Sequence, residues 1–402
     1  MHRRSLLAAA VMLAASTVAA QEAPEAARQL AQDAIIVDTH IDAPGILLSR
    51  WADLGVEAPD REFDYPRARE GGLDVGFMAI YTSHGRDEAG TARQHAHNQI
   101  DAVEALAGRH PDKFAILTSP GDVERLREGG RVLLAMGMEN AGPLGDDLSQ
   151  VEAFFDRGVR YIGLTHSGNN RIGDSSYTLE RRWNGLSPFG REVVAEMNRL
   201  GMIVDVSHLS DDTAREVIEV SSAPVIASHS GFRHFTPGFE RNLDDDLAKA
   251  IAATGGVIQI PFGTMFLDGK AASDIQAYFV AADEFERRNA ELRAAGEPLE
   301  DRRAFERAWE EAHPVPEIEI DLVLDQIDYG VQLVGIDHIG LGSDFDGVGG
   351  DLPEGLRTVA DFPNLVAGLQ QRGYGEEDIR KILGGNMLRA WTAIEAAAAR
   401  WP

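Results

Sequence analysis

Short apolar runs rich in β-branched residues recur along the chain, separated by stretches with the periodicity of amphipathic helices. We predict eight strands from these runs, at residues 34–37, 75–81, 132–138, 161–164, 202–206, 224–227, 256–260 and 338–341. Helical stretches such as 92–106, 148–157 and 188–200 lie between them. Continuous apolar strands that alternate with helices indicate a parallel sheet buried on both faces. Eight such units predict a (β/α)8 TIM-like barrel, with a doubly wound open sheet as the alternative.

One segment departs from this alternation. Residues 266–316 are charged and helix-prone, with helical patterns over 279–295 and 302–312. We predict a helical insertion after the seventh strand. Such an insertion could be a lid, an oligomer contact or a solvated decoration, and a decoration is the default because charge runs usually mark solvated faces.

Charge and cysteine content exclude several functions. The 402 residues carry a formal net charge of -27, which would repel nucleic acid and anionic lipid. The chain has no cysteine, so disulfides, thiolate metal ligands, a thiol nucleophile and a lipidated cysteine are all excluded. We therefore expect a protein that binds no nucleic acid and has no membrane anchor.

The first 20 residues have the pattern of a signal peptide. Arg3 and Arg4 form a basic region, residues 6–15 are apolar, and small residues at 18–20 suit a signal peptidase. Cleavage near Ala20 would leave one domain, residues 21–402, in the periplasm or outside the cell. The arginine pair also loosely matches a twin-arginine signal, so the export route is open.

Side chains of the metal-ligand type follow six of the predicted strands. Barrel enzymes build their active sites at the carboxyl ends of the strands, so these residues would converge if the barrel closes. They are His40 and Asp42 after the first strand, Glu139 after the third, His166 after the fourth, His208 after the fifth, His229 after the sixth, and Asp344 and Asp346 after the eighth.

These residue types suit a pair of divalent metal ions. His40 and Asp42, two apart on an extended segment, can share one ion, His208 and His229 can hold another, and Glu139 can bridge them. Two ions can acidify a bridging water to hydroxide and polarise a carbonyl, and Asp344 can then carry the proton to the leaving amine.

Taken singly, each of these residues has an ordinary structural explanation. A strand-terminal aspartate such as Asp344 is often a helix N-cap, and an isolated histidine is more often a hydrogen-bonded structural residue. His95 and His97 form an HxH pair within a helical stretch, where such positions do not face each other, and we interpret them as surface or packing residues. Residues of the metal-ligand or acid–base type follow six different strands, and this coincidence favours a functional site.

The chain as a whole resembles the membrane dipeptidase (renal dipeptidase) family of metallopeptidases, from about residue 38 to about residue 391. The motifs that carry the resemblance are Asp38-x-His40-x-Asp42, Gly137-Met138-Glu139, Leu164-Thr165-His166-Ser167-x-Asn169, Asp205-x-Ser207-His208, Ser228-His229-Ser230, Arg241-Asn242-Leu243-x-Asp245-Asp246, Gly342-Ser343-Asp344-Phe345-Asp346-Gly347 and Gly384-Gly385-Asn386-Met387-Leu388-Arg389.

The resemblance implies a barrel of the metal-dependent hydrolase type and a role for each site residue. His40 and Asp42 would bind one Zn2+, His208 and His229 a second, and Glu139 would bridge the two, although other divalent ions are possible. Asp344 would shuttle the proton. His166 would stabilise the oxygen of the tetrahedral intermediate, and Arg241, next to Asn242 in the substrate-binding motif, would pair with the substrate's carboxylate.

The resemblance also implies the substrate class. Family members hydrolyse dipeptides, tolerate a D-residue at the C-terminal position, act on some β-lactams and often form homodimers, so we expect a homodimeric metallo-dipeptidase. The mammalian members are disulfide-linked and lipid-anchored. This chain has no cysteine for a disulfide, and we expect no lipid anchor because no hydrophobic tail follows Trp401. Residues 259–263 and the segment to Pro316 also differ from those members, which leaves the substrate preference open.

Two other functions remain compatible with the residues. A related binuclear amidohydrolase could act on N-acyl amino acids, cyclic amides or lactones, since Arg241 would fit an N-acyl amino acid as well as a dipeptide. A non-catalytic binding protein could keep the barrel without the chemistry, but loss of a ligand residue would be expected and none is missing from the sequence.

Overall fold

The computed structural model describes residues 23–400, so the predicted signal peptide lies outside the described residues. The strands are β1 Ile36–Ile41, β2 Leu73–Tyr81, β3 Phe114–Ile116, β4 Val132–Glu139, β5 Val159–Gly163, β6 Ile203–Asp205, β7 Val225–Ala227, β8 Val257–Ile260 and β9 Ile339–Leu341. The helices are α1 Glu25–Asp33, α2 Ala43–Ser49, α3 Tyr65–Gly71, α4 His84–Glu88, α5 Ala92–Arg109, α6 Val123–Leu126, α7 Ser149–Asp156, α8 Pro188–Leu200, α9 Asp211–Val220, α10 Asp245–Ala253, α11 Thr264–Leu267, α12 Gly269–Ala295, α13 Arg302–Ala312, α14 Asp321–Val334, α15 Phe362–Gln371, α16 Glu376–Arg380 and α17 Asn386–Ala398.

Eight of the strands close into a parallel barrel. Their order is β2-β1-β9-β8-β7-β6-β5-β4, and β2 pairs back with β4 over the seven residue pairs from Val75↔Leu133 to Tyr81↔Glu139. An open doubly wound sheet would leave two unpaired edges, which this closure removes. The predicted (β/α)8 barrel is therefore confirmed.

The remaining strand, β3, is absent from the sequence-based prediction. It pairs with the first half of β4, with Phe114 opposite Val132, while β5 pairs with the second half from Met136 onward. A strand of three residues gives too short a pattern to stand out from the end of helix α5.

The amino-terminal half of the barrel is filled by apolar side chains and covered by α17. Val37, Phe77 and Tyr161 from three strands join one buried cluster with Trp391 of α17, which is fully buried. Phe77 and Trp391 lie 5.3 Å apart between ring centroids. This packing leaves the carboxyl ends of the strands as the open face of the barrel.

The insertion after β8, the seventh strand of the barrel, is helical as predicted. Helix α13 has the predicted bounds, but α12 begins ten residues earlier than predicted, at Gly269. The Asp268 side chain caps it by accepting hydrogen bonds from the backbone N–H groups of Lys270 and Ala271. Phe285 and Phe305 stack at 4.8 Å between the two helices. Within residues 23–400, no helix is long and apolar enough to cross a membrane.

Candidate active site

A cavity of about 780 Å³ opens at the carboxyl end of the barrel strands. Asp42, Glu139, His166, His208 and Asp344 all line it, so five of the predicted site residues share one space. His40 and His229 lie just beneath, with their rings stacked at 3.7 Å between centroids. The strand ends therefore converge as the sequence pattern predicts.

His40 reaches the site because β1 contains an irregularity. Asp38 pairs with Gly76 and Ile41 with Met78, so β1 carries one more residue than β2 between these two pairs. An extra residue in a strand re-aims the side chain it carries. The side chains of His40 and Asp42 meet as expected, although Asp42 lies just beyond β1, at the N-cap of α2.

Tyr161 fixes the orientation of His40. The Tyr161 hydroxyl donates to the Thr39 carbonyl at 3.1 Å, so its oxygen accepts from His40 Nδ1 at 2.9 Å. His40 Nε2 points away from Tyr161 and lies 3.3 Å from Asp42 Oδ2 and 3.6 Å from Glu139 Oε2. It is buried and makes no hydrogen bond with any described residue.

A similar relay orients His229. The Ser228 hydroxyl donates to Asp205 Oδ2 at 2.6 Å and therefore accepts from His229 Nδ1 at 2.8 Å. The unprotonated Nε2 of His229 then lies 3.3 Å from Glu139 Oε1. Hydrogen bonds of this kind fix the tautomer and the ring orientation of histidines that bind metals.

Glu139, the last residue of β4, lies at the centre of the imidazoles. Its Oε1 is 2.9 Å from His208 Nε2, 3.3 Å from His229 Nε2 and 3.7 Å from His166 Nε2. The two nitrogens of His208 and His229 are 2.8 Å apart. One carboxylate thus has an oxygen on each side of the cluster, one toward His40 and one toward the other three histidines.

Asp344 lies beside Asp42 on a strained loop. Asp344 and Asp346 follow β9 with φ of 67° and 63°, a left-handed conformation that costs a non-glycine residue about 1–3 kcal/mol. Any Cβ at Gly347 would come within 2.4 Å of Asp42 Oδ2 and 2.3 Å of Asp344 Oδ1. Glycine at this position lets the backbone approach both carboxylates.

Two of the imidazoles, those of His208 and His229, are favoured in the neutral form beside an ionised glutamate. Burial and the Arg241 charge lower the pKa of His208 well below its usual range, and burial and His40 do the same for His229. Burial alone would raise the pKa of Glu139, but His166, His40 and its hydrogen bonds hold that pKa well below normal. These are the protonation states that a metal requires of its ligands.

His40 and Asp344 have pKa values shifted upward. Burial disfavours the imidazolium of His40, but Tyr161, Glu139 and Asp42 outweigh burial and raise its pKa well above normal. Burial and the neighbouring Asp42 raise the pKa of Asp344 to about 7. The negative charge of the cluster therefore holds protons in positions that a cation could take.

Arg241 and Asn242 lie beneath the cavity. Arg241 is 2% exposed and donates to Ser230 Oγ at 2.7 Å, to the His229 carbonyl at 2.8 Å and to His208 Nε2 at 3.1 Å. The Asn242 side chain is fully bonded within the fold, with Gly231 N donating to its Oδ1. In this conformation neither residue lines the cavity, and their predicted contacts with a substrate remain predictions.

The structure also places residues in the cavity that the sequence analysis missed. Tyr81, at the end of β2, lies 4.7 Å from His166 between ring centroids, and Tyr177 lies 5.7 Å from His208. His95, interpreted as a surface or packing residue, lines the cavity wall. Tyr81 could have been found by applying the strand-end rule to tyrosine, whereas Tyr177 lies in a long loop without such a signal.

Three groups of side chains could hold a metal ion, each with ligand atoms within 4.8 Å of one another. They are His40 with Glu139 and His229, Glu139 with His166 and His208, and His40 with Asp42 and Asp344. All five predicted metal ligands fall in these groups. The groups are connected because Glu139 and His40 each belong to two of them. The structure therefore presents one connected cluster of nitrogen and oxygen ligands.

Comparisons with known proteins identify the family of the chain. The membrane dipeptidase family, peptidase family M19, matches residues 24–402. The dipeptidase aclJ of Aspergillus oryzae is 33% identical over 347 residues, which cover 84% of this chain and 71% of that relative.

Two solved structures are also similar. The probable dipeptidase PvdM from Pseudomonas aeruginosa is 29% identical with a TM-score of 0.79, covering 93% of this chain and 98% of that one. A metallo peptidase from Rhodobacter sphaeroides, liganded with a phosphinate mimic of the dipeptide L-Ala-D-Ala, is 26% identical with a TM-score of 0.72, covering 90% and 99%. Together with the ligand cluster at the barrel mouth, these matches show that the chain belongs to the membrane dipeptidase family of metallopeptidases.

Proposed function

We propose that this protein hydrolyses dipeptides with two zinc ions, of which His40 and Asp42 hold one, His208 and His229 hold the other, and Glu139 bridges both. The position of Glu139 carries the proposal, since its Oε1 lies within 3.3 Å of the nitrogens of His208 and His229 and its Oε2 lies 3.6 Å from that of His40. A single carboxylate between two sets of imidazoles is the arrangement that a bridging ligand needs.

The residues fit divalent ions on chemical grounds. His40 Nε2 is buried without a hydrogen bond, and because Nδ1 is engaged by Tyr161, it is Nε2 that faces the two carboxylates, where a cation can take the place of its proton. The Nε2 atoms of His208 and His229 face each other at 2.8 Å. Two nitrogen lone pairs at this distance repel each other unless they share a proton, and a cation bound to both makes the contact favourable. Imidazole and carboxylate without thiolate suit zinc and similar divalent ions.

When bound, two such ions supply an acidified water and polarise the scissile carbonyl. Asp344, which lines the cavity beside Asp42, would carry a proton from that water to the leaving amine. His166 lines the cavity 3.7 Å from Glu139 and would donate to the carbonyl oxygen as negative charge develops there.

Arg241 would bind the carboxylate of the dipeptide. Its guanidinium is buried next to His208, so a carboxylate reaching it would be shielded from water, where a charge-assisted hydrogen bond is strong. Its Nε is buried and makes no hydrogen bond with any described residue, so a donor remains for the substrate. We also propose that a C-terminal D-residue is tolerated, on the basis of the L-Ala-D-Ala mimic bound to the Rhodobacter sphaeroides relative.

The test is a substrate screen of purified protein with zinc added, using L-L and L-D dipeptides beside N-acyl amino acids and lactones. Zinc-dependent release of free amino acids from dipeptides is the expected result. Turnover of N-acyl amino acids or lactones alone would replace the dipeptidase proposal with the related amidohydrolase.

We further propose that the protein is exported to the periplasm or beyond and works as a homodimer. The basic residues Arg3 and Arg4 before an apolar stretch support export. Fractionation of cells that express the full chain would test the location, and light scattering of the mature protein would test the dimer.

A further inference from the structure

One wall of the active-site cavity comes from the helices that follow β8. Met265 and Phe266 of α11 and Ile275 and Phe279 of α12 all line the cavity, and we call these four residues the insertion wall. All four side chains are apolar, and Ile275, Met265 and Phe279 are only half-buried, so they keep surface that a ligand can cover. Helix α12 is thus part of the substrate cavity, whereas its charged sequence suggested a solvated decoration.

The insertion wall lies close to the metal-ligand cluster. Phe279 and Tyr177 are 4.5 Å apart between ring centroids, and Tyr177 is 5.7 Å from His208 and 6.4 Å from His166. A single aromatic ring therefore separates Phe279 from the predicted ligands. A side chain that extends from a bound dipeptide spans a distance of this size.

The proposed carboxylate partner lies on the same side of the cavity. The Arg241 guanidinium carbon stands 4.9 Å from the ring centre of Phe266, over its face. A dipeptide whose carboxylate pairs with Arg241 has its C-terminal residue next to that ring. The side chain of this residue, rather than that of the N-terminal residue, then faces the insertion wall.

Another part of the cavity lining is polar. Helices α4 and α5 contribute Arg86, His95 and Asn98, and β2 contributes Tyr81. Arg86 is the one lysine or arginine of the cavity lining within residues 23–400. Placing a large apolar side chain against these groups would bury them without hydrogen bonds, which is unfavourable. Ile46 and Leu48 of α2 and the loop residue Val348 add apolar surface elsewhere in the cavity, but the insertion wall is the apolar part that adjoins Arg241, through Phe266.

We propose that the insertion wall binds the C-terminal side chain of the substrate and selects dipeptides in which that residue is bulky and apolar or aromatic. The proposal rests on the dipeptidase function and adds its substrate class. Apolar surface on Phe279 and Ile275 is covered only when such a side chain is present. The free energy gained by burying this surface therefore appears as a preference for one substrate over another.

The test compares kcat/KM for Ala-Gly, Ala-Leu, Ala-Phe and the reversed Phe-Ala, in the parent and in Phe279→Ala. We expect the parent to favour Ala-Leu and Ala-Phe over Ala-Gly by roughly tenfold or more, because each methylene in a pocket contributes measurably. Phe279→Ala should lower kcat/KM for Ala-Phe by roughly tenfold and leave Ala-Gly within about twofold. Phe-Ala should respond much less than Ala-Phe.

Controls separate this inference from the proposed function and from misfolding. Val280→Ala alters the next residue of α12, which is exposed and outside this cavity lining, and should leave all four substrates unchanged. Ile275→Ala is the second wall variant and should repeat the selective loss for Ala-Phe. Activity on Ala-Gly reports folding and the proposed function in every variant.

Three outcomes would overturn the inference. They are equal kcat/KM of the parent for Ala-Gly and Ala-Phe, an equal loss for both in Phe279→Ala and Ile275→Ala, and a loss confined to Phe-Ala. If the parent hydrolyses none of the dipeptides, the proposed function itself fails, and that result is distinct from the other three.

Discussion

The Tyr161 hydroxyl accepts a hydrogen bond from His40 Nδ1 at 2.9 Å across the barrel interior. It thereby keeps Nδ1 occupied and directs Nε2 toward Asp42 and Glu139, where a cation can replace its proton. Tyr161→Phe should lower metal affinity by about 10- to 100-fold, as loss of a hydrogen bond to a metal-binding histidine commonly does. Chelator competition measures this affinity. Tyr329→Phe removes a hydroxyl that bonds to Asp245, outside the cavity lining and the ligand groups, and is the matched control. Equal affinities in both variants would contradict the role of Tyr161.

Gly137 makes room for the Tyr161 ring. A Cβ at this position would lie 1.9 Å from Tyr161 Cζ, so Gly137→Ala must displace the ring and with it the partner of His40. We expect a loss of about 1–3 kcal/mol in the free energy of unfolding, together with reduced metal retention. Urea unfolding and metal analysis of the purified variant measure the two effects. Unchanged stability with full metal content would show that the contact is not needed.

Asp344→Asn should separate proton transfer from metal binding. Asn is similar in size but cannot accept and release a proton, so kcat for a dipeptide should fall by about 10²- to 10⁴-fold. Metal content should stay that of the parent if Asp344 is no ligand. A variant that loses its metal would instead make Asp344 a ligand, as its grouping with His40 and Asp42 allows.

Arg241→Ala should raise KM sharply for dipeptides with a free carboxylate and much less for their C-terminal amides. The guanidinium is the proposed carboxylate partner, and the amide offers no charge to lose. Kinetics on a matched pair of free and amidated dipeptides measure the difference. Equal cleavage of both by the unsubstituted protein would argue against the pairing.

Glu62 should make stability depend on pH. Burial and the nearby Asp346 and Asp344 raise its pKa from 4.5 to about 7, so between these pH values the folded protein holds a proton that the unfolded chain has lost. The stabilisation that protonated Glu62 gives to the folded state is complete below about pH 4.5 and is lost as pH rises through 7. Glu62→Gln cannot ionise, so the variant does not lose this stabilisation at high pH. Its amide oxygen can still accept the hydrogen bond from the Asp346 backbone N–H. We measure the free energy of unfolding in urea for the chelator-treated parent and Glu62→Gln at pH 5 and at pH 8. The variant should compare more favourably with the parent at pH 8 than at pH 5. The same difference between variant and parent at both pH values would refute this.

The sequence predicts the barrel and the convergence of the candidate metal-ligand residues because both follow from local pattern. Buried parallel strands are continuous apolar runs, and ligands such as Glu139 and His229 stand at their ends, so closing the barrel is enough to gather them. The orientation of these ligands could not be predicted, since it depends on Tyr161 and Ser228, which act on histidines through hydrogen bonds formed only in the folded barrel.

The cavity walls were harder to predict than its floor. Tyr177 lies in the long loop between β5 and α8. Phe279 lies in helix α12, where the many charged residues make the apolar face of the helix difficult to recognise in the sequence. His95 was judged by its helical spacing to His97, yet a helix needs only one residue on its inner face to reach a cavity. Neither loop conformation nor helix rotation is encoded in a pattern of two or three residues.

Zinc titration of metal-free protein, with bound metal and dipeptide hydrolysis followed together, tests the two-metal dipeptidase most directly. We predict no hydrolysis without metal, full activity at two equivalents per chain, and loss of both metal binding and activity in Glu139→Gln. Full activity of the metal-free protein, or of Glu139→Gln, would contradict the proposal.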